Sequence, residues 1–270
     1  MFDHPHPAPP QPPAAFQRLF EAFVDPESPS GRVIEILSDP DVSSFLASER
    51  TRSQSDWADL ARYAQENAVI AASRRSVDAV FIGDSITQMW PFASAGLFGE
   101  SVVSRGIGGQ VTPQILLRFY ADVVALKPKV VHILAGINDV TGQDGPNSLG
   151  DYKNHMRAMV DLARANDIVP LIASILPTAR YDLMPDLKPA GRVIGLNTWL
   201  KELCAETGAH FIDYFEDMRN SDDGMDRTIS NDGLHPNRDG YLIMTRRARE
   251  ALAGALRSPA AVTIEALKER

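Results

Sequence analysis

A single cysteine, Cys204, is all the thiol chemistry this chain of 270 residues holds. One thiol excludes an intrachain disulfide and any zinc site built on several thiolates. It fits a reducing compartment, although a periplasmic protein without disulfides would have the same composition. Positive charge is also short: 27 Lys and Arg face 35 Asp and Glu, a formal net charge of -8. No basic field is available to gather a phosphate backbone, which argues against nucleic acid as a partner. Long apolar runs are missing too, since no stretch approaches the roughly twenty residues of a membrane span. Residues 1–13 contain no Lys or Arg and no apolar run of about seven to fifteen residues, the two parts of a secretory leader. The expectation is a soluble, cytoplasmic protein.

What is present suits one large domain with appendages: 44% of the residues are hydrophobic and 23% charged. Residues 1–13 are dominated by proline, which lacks an amide donor and disfavours helix in the residue before it, so a disordered tail is expected. Residues 14–75 read as a helical extension packed on the core. Phe16, Leu19, Phe20 and Phe23 suggest short helices there. Trp57, Leu60, Ala61, Ala64, Ala68, Ala71 and Ala72 recur at the spacing of one helix face and predict a helix over Ser55–Ser73.

From 76 to 258 strands and helices alternate. Strands are predicted at Val80–Ile82, Ser101–Ser104, Val130–Leu134, Val169–Ala173 and His210–Asp213. Helices are predicted near Pro113–Leu126, Tyr152–Ala165, Val193–Glu206 and Arg238–Leu256. Such alternation predicts a parallel sheet covered on both faces and joined by right-handed crossovers. Residues 259–270 form a C-terminal tail whose apolar positions suit a homo-oligomer contact or a frayed end equally.

Ligands of open parallel sheets bind at the carboxyl ends of the strands, and four stretches there carry chemistry. Gly83-Asp84-Ser85-Ile86-Thr87 is a strand-to-helix turn with a hydroxyl at the positive end of a helix dipole. Arg105-Gly106-Ile107-Gly108-Gly109 follows the second strand, Gly136-Ile137-Asn138-Asp139 the third, and Asp232-Gly233-Leu234-His235-Pro236 precedes the last helix. A serine hydroxyl attacks carbonyl carbon only when a base takes its proton, and imidazole suits that task. Of six histidines, only His235 lies in a turn-rich segment after the last strand with an acid close by. Asp232, three residues earlier, can orient the ring or cap the final helix. Gly106 and Asn138 can serve as oxyanion donors, as can the amide of Ser85 at its helix start, but a turn glycine and a capping asparagine are equally ordinary roles.

In order and in type, these four stretches resemble the signature blocks of the SGNH, or GDSL-type, esterases and acylhydrolases, over about residues 80–256. The resemblance implies Ser85 as nucleophile, His235 as base and Asp232 as its orienting acid, with Ser85, Gly106 and Asn138 forming the oxyanion hole. It implies a three-layer α/β/α sandwich with a flavodoxin-like, five-stranded parallel sheet ordered 2-1-3-4-5, and no metal or organic cofactor. It also implies a small-molecule ester substrate. Members cleave esters of carbohydrates, lysophospholipids, aryl alcohols and thiols, so short-chain or carbohydrate O-acyl esters stand beside thioesterase and lysophospholipase action. A non-catalytic module that binds an acylated or glycan ligand is the rival from another class; the presence of Ser85, Asp232 and His235 together argues against it.

Two other readings fall away. The α/β-hydrolase elbow has a second glycine where Thr87 stands and an acid well before its histidine. The Gly106-x-Gly108-Gly109 run lacks the further glycine of a dinucleotide fingerprint. Arg105 is expected to be a structural or rim cation. Trp90, Phe92 and Phe98 can wall a pocket or fill the core, and the polar loops 141–150 and 177–188 suit a rim. His132 and Cys204 read as buried and inert, and Asp84 and Asp139 as braces for their own turns.

Overall fold

The computed structural model describes residues 8–29, 31–73, 75–143 and 148–257. The first seven residues of the proline-rich tail and the whole C-terminal tail 259–270 lie outside the described residues, as does the middle of the 141–150 loop. Five strands, β1 (Ala79–Gly83), β2 (Val102–Gly106), β3 (Val130–Leu134), β4 (Val169–Ala173) and β5 (His210–Ile212), form one parallel sheet in the order β2-β1-β3-β4-β5. Helices cover both faces, so the architecture is the α/β/α sandwich the alternation predicts. β1, β3 and β4 are buried at every position, which is why they read as near-continuous apolar runs, interrupted only by His132 in β3, rather than alternating ones.

Register decides what the sheet can present. Gly83 stands level with Gly106 on one side and with Leu134 on the other. The chain therefore leaves β1, β2 and β3 at one height, and the turns after them meet at one edge. After β1 the helix α5 (Ser85–Ala93) starts because the Asp84 carboxylate caps it, accepting from the Ile86 amide at 3.0 Å. Gly83 is required there: a Cβ would lie 2.2 Å from the Leu134 carbonyl oxygen. The crossover helices are α6 (Thr112–Asp122), α8 (Leu149–Ala165) and α9 (Ala190–Thr207), with short helices α7 (Ile137–Thr141) and α10 (Tyr214–Met218) after β3 and β5. The last helix, α11 (Arg238–Leu256), is capped by Asn237, which accepts from the amides of Asp239 and Gly240. Asp232 is thus not the cap of that helix.

The N-terminal segment supplies α1 (Ala14–Val24), α2 (Arg32–Leu37), α3 (Pro40–Ser53) and α4 (Ala64–Ser73). Leu19, Phe23 and Val24 of α1 join the same apolar core as the sheet. The long helix expected over 55–73 is corrected: only its second half is helical. The Asp56 carboxylate takes the amides of Leu60 and Ala61, and Asp59 adopts φ +55°, both of which hold residues 56–63 in turns. Trp57, expected on the buried face, is 43% exposed.

Candidate active site

The chain brings Ser85 and His235 together across 150 residues. Ser85 Oγ lies 2.9 Å from His235 Nε2, and His235 Nδ1 lies 2.7 Å from Asp232 Oδ2. The other Asp232 oxygen accepts the amides of Leu234 and His235 at 2.9 and 2.8 Å. Burial alone would raise the Asp232 carboxyl, but the His235 ring and these amides outweigh it and hold the group below the usual carboxylate range. A charged carboxylate therefore fixes the Nδ1 side of the ring and leaves Nε2 toward the serine. Gly233, at φ +87°, lets the chain turn between acid and histidine. The loop 177–188 packs against this turn: the Asp182 amide donates to the Asp232 carbonyl, and the Tyr181 ring lies 6.2 Å from that of His235.

The expected oxyanion donors divide. As first residue of α5, Ser85 has a backbone amide with no partner inside its helix. Asn138, buried in α7, donates one Nδ2 hydrogen to the Gln110 carbonyl at 3.0 Å, which fixes its amide and leaves the second hydrogen for a ligand. Gly106 does not fit the role. Successive amides of a strand point to opposite edges, and the next one, Ile107, donates to the Gly83 carbonyl on β1. The Gly106 peptide groups thus face the open sheet edge, where Tyr63 Oη donates to its carbonyl at 2.5 Å. Glycine is needed at 106 for packing, because a Cβ would sit 2.1 Å from the Gln88 amide nitrogen. Gly108 and Gly109, further along the same turn, are the glycines that line the cleft. The Gly108 amide is taken by Gln88 Oε1 at 2.8 Å. The Gly109 amide takes no partner among the described residues, and its φ of +78° suits a bare turn.

Ser85 and His235 open into a cleft of about 720 Å³. Much of its wall comes from the N-terminal segment. Phe23 packs on His235 with ring centres 4.5 Å apart, Phe20 on Phe92 at 5.1 Å and Phe16 on Phe45 at 4.8 Å. Asn231, one residue before Asp232, ties α1 down: its Nδ2 lies 3.2, 3.2 and 2.8 Å from the carbonyls of Ala22, Phe23 and Asp25. Part of the lining is ionic, with Arg52 on Glu49 and Asp59 and Arg62 on Glu49 and Asp59. A second cavity of about 420 Å³, bordered by Asp139, Tyr152 and Arg192, includes neither Ser85 nor His235 in its lining. Among the described residues no group of three or more His, Cys, Asp or Glu side chains is arranged to hold a metal ion.

A buried arginine acts where the sequence reading placed nothing. Arg118, fully buried on α6, donates to the carbonyls of Gly83 and Arg105 and to Gln110 Oε1, and pairs with Asp122 at 3.0 Å. It holds the turns after β1 and β2 together. A charged pair at 118 and 122 on the face that carries Ile115 and Phe119 was the available signal. Arg105 is structural, buried against the Tyr63 ring at 4.6 Å and bonded to Asn67. Trp90 fills the core and donates to Thr245, Phe98 packs against that core, and Phe92 alone of the three lines the cleft. Asp84 braces its own turn, with burial pushing its carboxyl up to about 7. Asp139 braces another, accepting from the amide and hydroxyl of Thr112 at the start of α6. Burial pushes the Cys204 thiol up to about 12, the behaviour of an unreactive core thiol.

Comparison with known proteins adds an independent line. Residues 81–243 match the model of the GDSL-like Lipase/Acylhydrolase family. A solved structure from Bacteroides fragilis, described as an acylhydrolase, is 33% identical with a TM-score of 0.70, covering 74% of this chain and 99% of that one. A GDSL-like lipase from Bacteroides thetaiotaomicron is 31% identical with a TM-score of 0.69, over 74% and 99% of the two chains. An acetylxylan esterase of Geobacillus stearothermophilus is 29% identical over 161 residues, 55% of this chain and 70% of its own.

Proposed function

Because the chain belongs to the GDSL-like lipase/acylhydrolase family and is a carboxylic ester hydrolase of that type, we propose that it cleaves short-chain O-acyl esters through an acyl-enzyme on Ser85. The observation that carries this reading is the hydrogen-bonded chain from Ser85 Oγ through His235 to Asp232, at 2.9 and 2.7 Å.

Ser85 Oγ attacks the acyl carbon while its proton passes to His235 Nε2. The former carbonyl oxygen becomes an oxyanion, met by the amide of Ser85, the amide of Gly109 and the second Nδ2 hydrogen of Asn138. Collapse breaks the bond to the alcohol oxygen, which takes the proton from His235. Water then gives a proton to His235 and attacks the acyl carbon, and release of the acid restores Ser85. Asp232 stays ionised throughout and stabilises the imidazolium. Beyond the oxyanion turn the cleft is ionic, which favours a short acyl group over a long hydrocarbon chain.

The likeness to an acetylxylan esterase supports a second reading in which the acyl group is carried by a carbohydrate. Ser85→Ala tests the common core: turnover of p-nitrophenyl acetate is expected to fall by roughly 10³-fold or more, with the fold retained. Wild-type turnover in that variant would sink the assignment, as would failure of a fluorophosphonate probe to label Ser85.

A further inference from the structure

We propose that the wall raised by α1 beside His235 is the leaving-group subsite, and that it takes an apolar alcohol, alkyl or aryl, in preference to a sugar. This rests on Ser85 as nucleophile and narrows the alcohol, which the reacting groups leave open. His235 hands its proton to the departing oxygen, so the alcohol must sit on the His235 side of Ser85. Of the two aromatic rings against it, Phe23 lies nearer, at 4.5 Å, and Tyr181 farther, at 6.2 Å. Phe20, Phe16 and Phe92 continue the surface outward, with Phe16 and Phe20 5.3 Å apart and Phe20 and Phe92 5.1 Å apart. Phe92 is 47% exposed, so apolar area remains for a ligand to cover.

The two ends of the cleft differ in kind. At the Gly109 end the lining includes Gln110, Arg52, Asp59 and Arg62, and the arginines are paired with carboxylates. A hydrocarbon placed there would face charges, whereas on the α1 wall it would cover phenyl area without desolvating polar groups. A cleft of about 720 Å³ is far larger than an acetyl group needs. The wall is also set in place before ligand arrives, because Asn231 holds the C-terminal carbonyls of α1; a preorganised surface loses less entropy on binding.

The experiment compares two ester series. With acetyl held constant, kcat/KM is expected to rise at least tenfold from ethyl to hexyl acetate, since each fully buried methylene is worth about fourfold. With ethanol held constant, lengthening the acid from acetate to octanoate should bring no such rise. In Phe20→Ala and Phe92→Ser the hexyl-to-ethyl ratio is expected to drop at least fivefold, through KM. A flat alcohol series, a rise along the acid series instead, or faster turnover of acetylated xylose than of hexyl acetate would each overturn the proposal. Calorimetric binding of 1-hexanol to Ser85→Ala requires no turnover, so it separates failure of the wall from failure of the nucleophile. Saturable binding that Phe92→Ser weakens supports the wall, and absence of binding overturns it.

Discussion

His132 sits in the middle of β3 with its ring stacked on Phe81 at 4.4 Å and its Nε2 2.9 Å from the hydroxyl of Tyr214. Burial drives its value down from 6.5 to about 3. Above pH 6.5 the ring is neutral both folded and unfolded; below it the unfolded chain takes a proton that the fold refuses. Stability is therefore lost as pH falls from about 6.5 toward 3, by about 2 kcal/mol at pH 5. His132→Gln removes that titration. The drop in urea-unfolding free energy between pH 7 and pH 5 should be smaller in the variant by about 2 kcal/mol. Equal drops would refute the buried neutral state. Sequence alone already marked this histidine as a core residue from its apolar neighbours; the stacking on Phe81 and the bond to Tyr214, 82 residues away, had no local signal.

At the scale of elements, α6 does more than cross the sheet. Its Arg118 joins the end of β1, the end of β2 and the Gln110 side chain while neutralising Asp122. A buried pair broken on one side leaves an uncompensated charge, which costs about 3–5 kcal/mol. Arg118→Leu is expected to lose that much in denaturant unfolding, and Arg118→Leu combined with Asp122→Leu to lose less than the single variant. A single variant within about 1 kcal/mol of wild type would show that the pair is not the staple described. The glycines nearby carry a related lesson. Gly106 and Gly109 look alike in sequence, yet one is pressed against the backbone of α5 and the other lines the cleft. Only the direction of strand amides tells them apart.

For the molecule as a whole, the N-terminal helices are part of one structure with the sheet. Ala15, Leu19, Ala22, Phe23 and Val24 belong to the core that contains β1 and β3, and Asn231 bonds α1 beside Asp232. Shared burial couples the unfolding of the two parts. Thermal melting followed by far-ultraviolet dichroism and by tryptophan fluorescence, which samples core Trp90, cleft Trp57 and Trp199 on α9, is expected to give coincident transitions. An early transition seen by one probe would mean that the extension opens on its own. Among the described residues no helix is long and apolar enough to cross a membrane.

The sequence by itself determined the sheet and the edge at which the candidate residues gather. Val80–Ile82 is apolar without interruption, and Val130–Leu134 is interrupted by His132 alone, because both faces of a central parallel strand are covered. Ser85, Asn138, Asp232 and His235 follow strands or turns at positions readable from the alternation. Tertiary structure decided the rest. The helix broken at 56–63 turns on carboxylate bonds only four and five residues long that apolar spacing does not register, whereas the Tyr63 bond to Gly106, the Arg118 bond to Gly83 and the phenylalanine wall over His235 depend on partners tens to hundreds of residues away. Periodicity reports which face of an element is buried, and it carries no information about what buries it. For α1 the partners are the sheet core and the cleft beside His235 together.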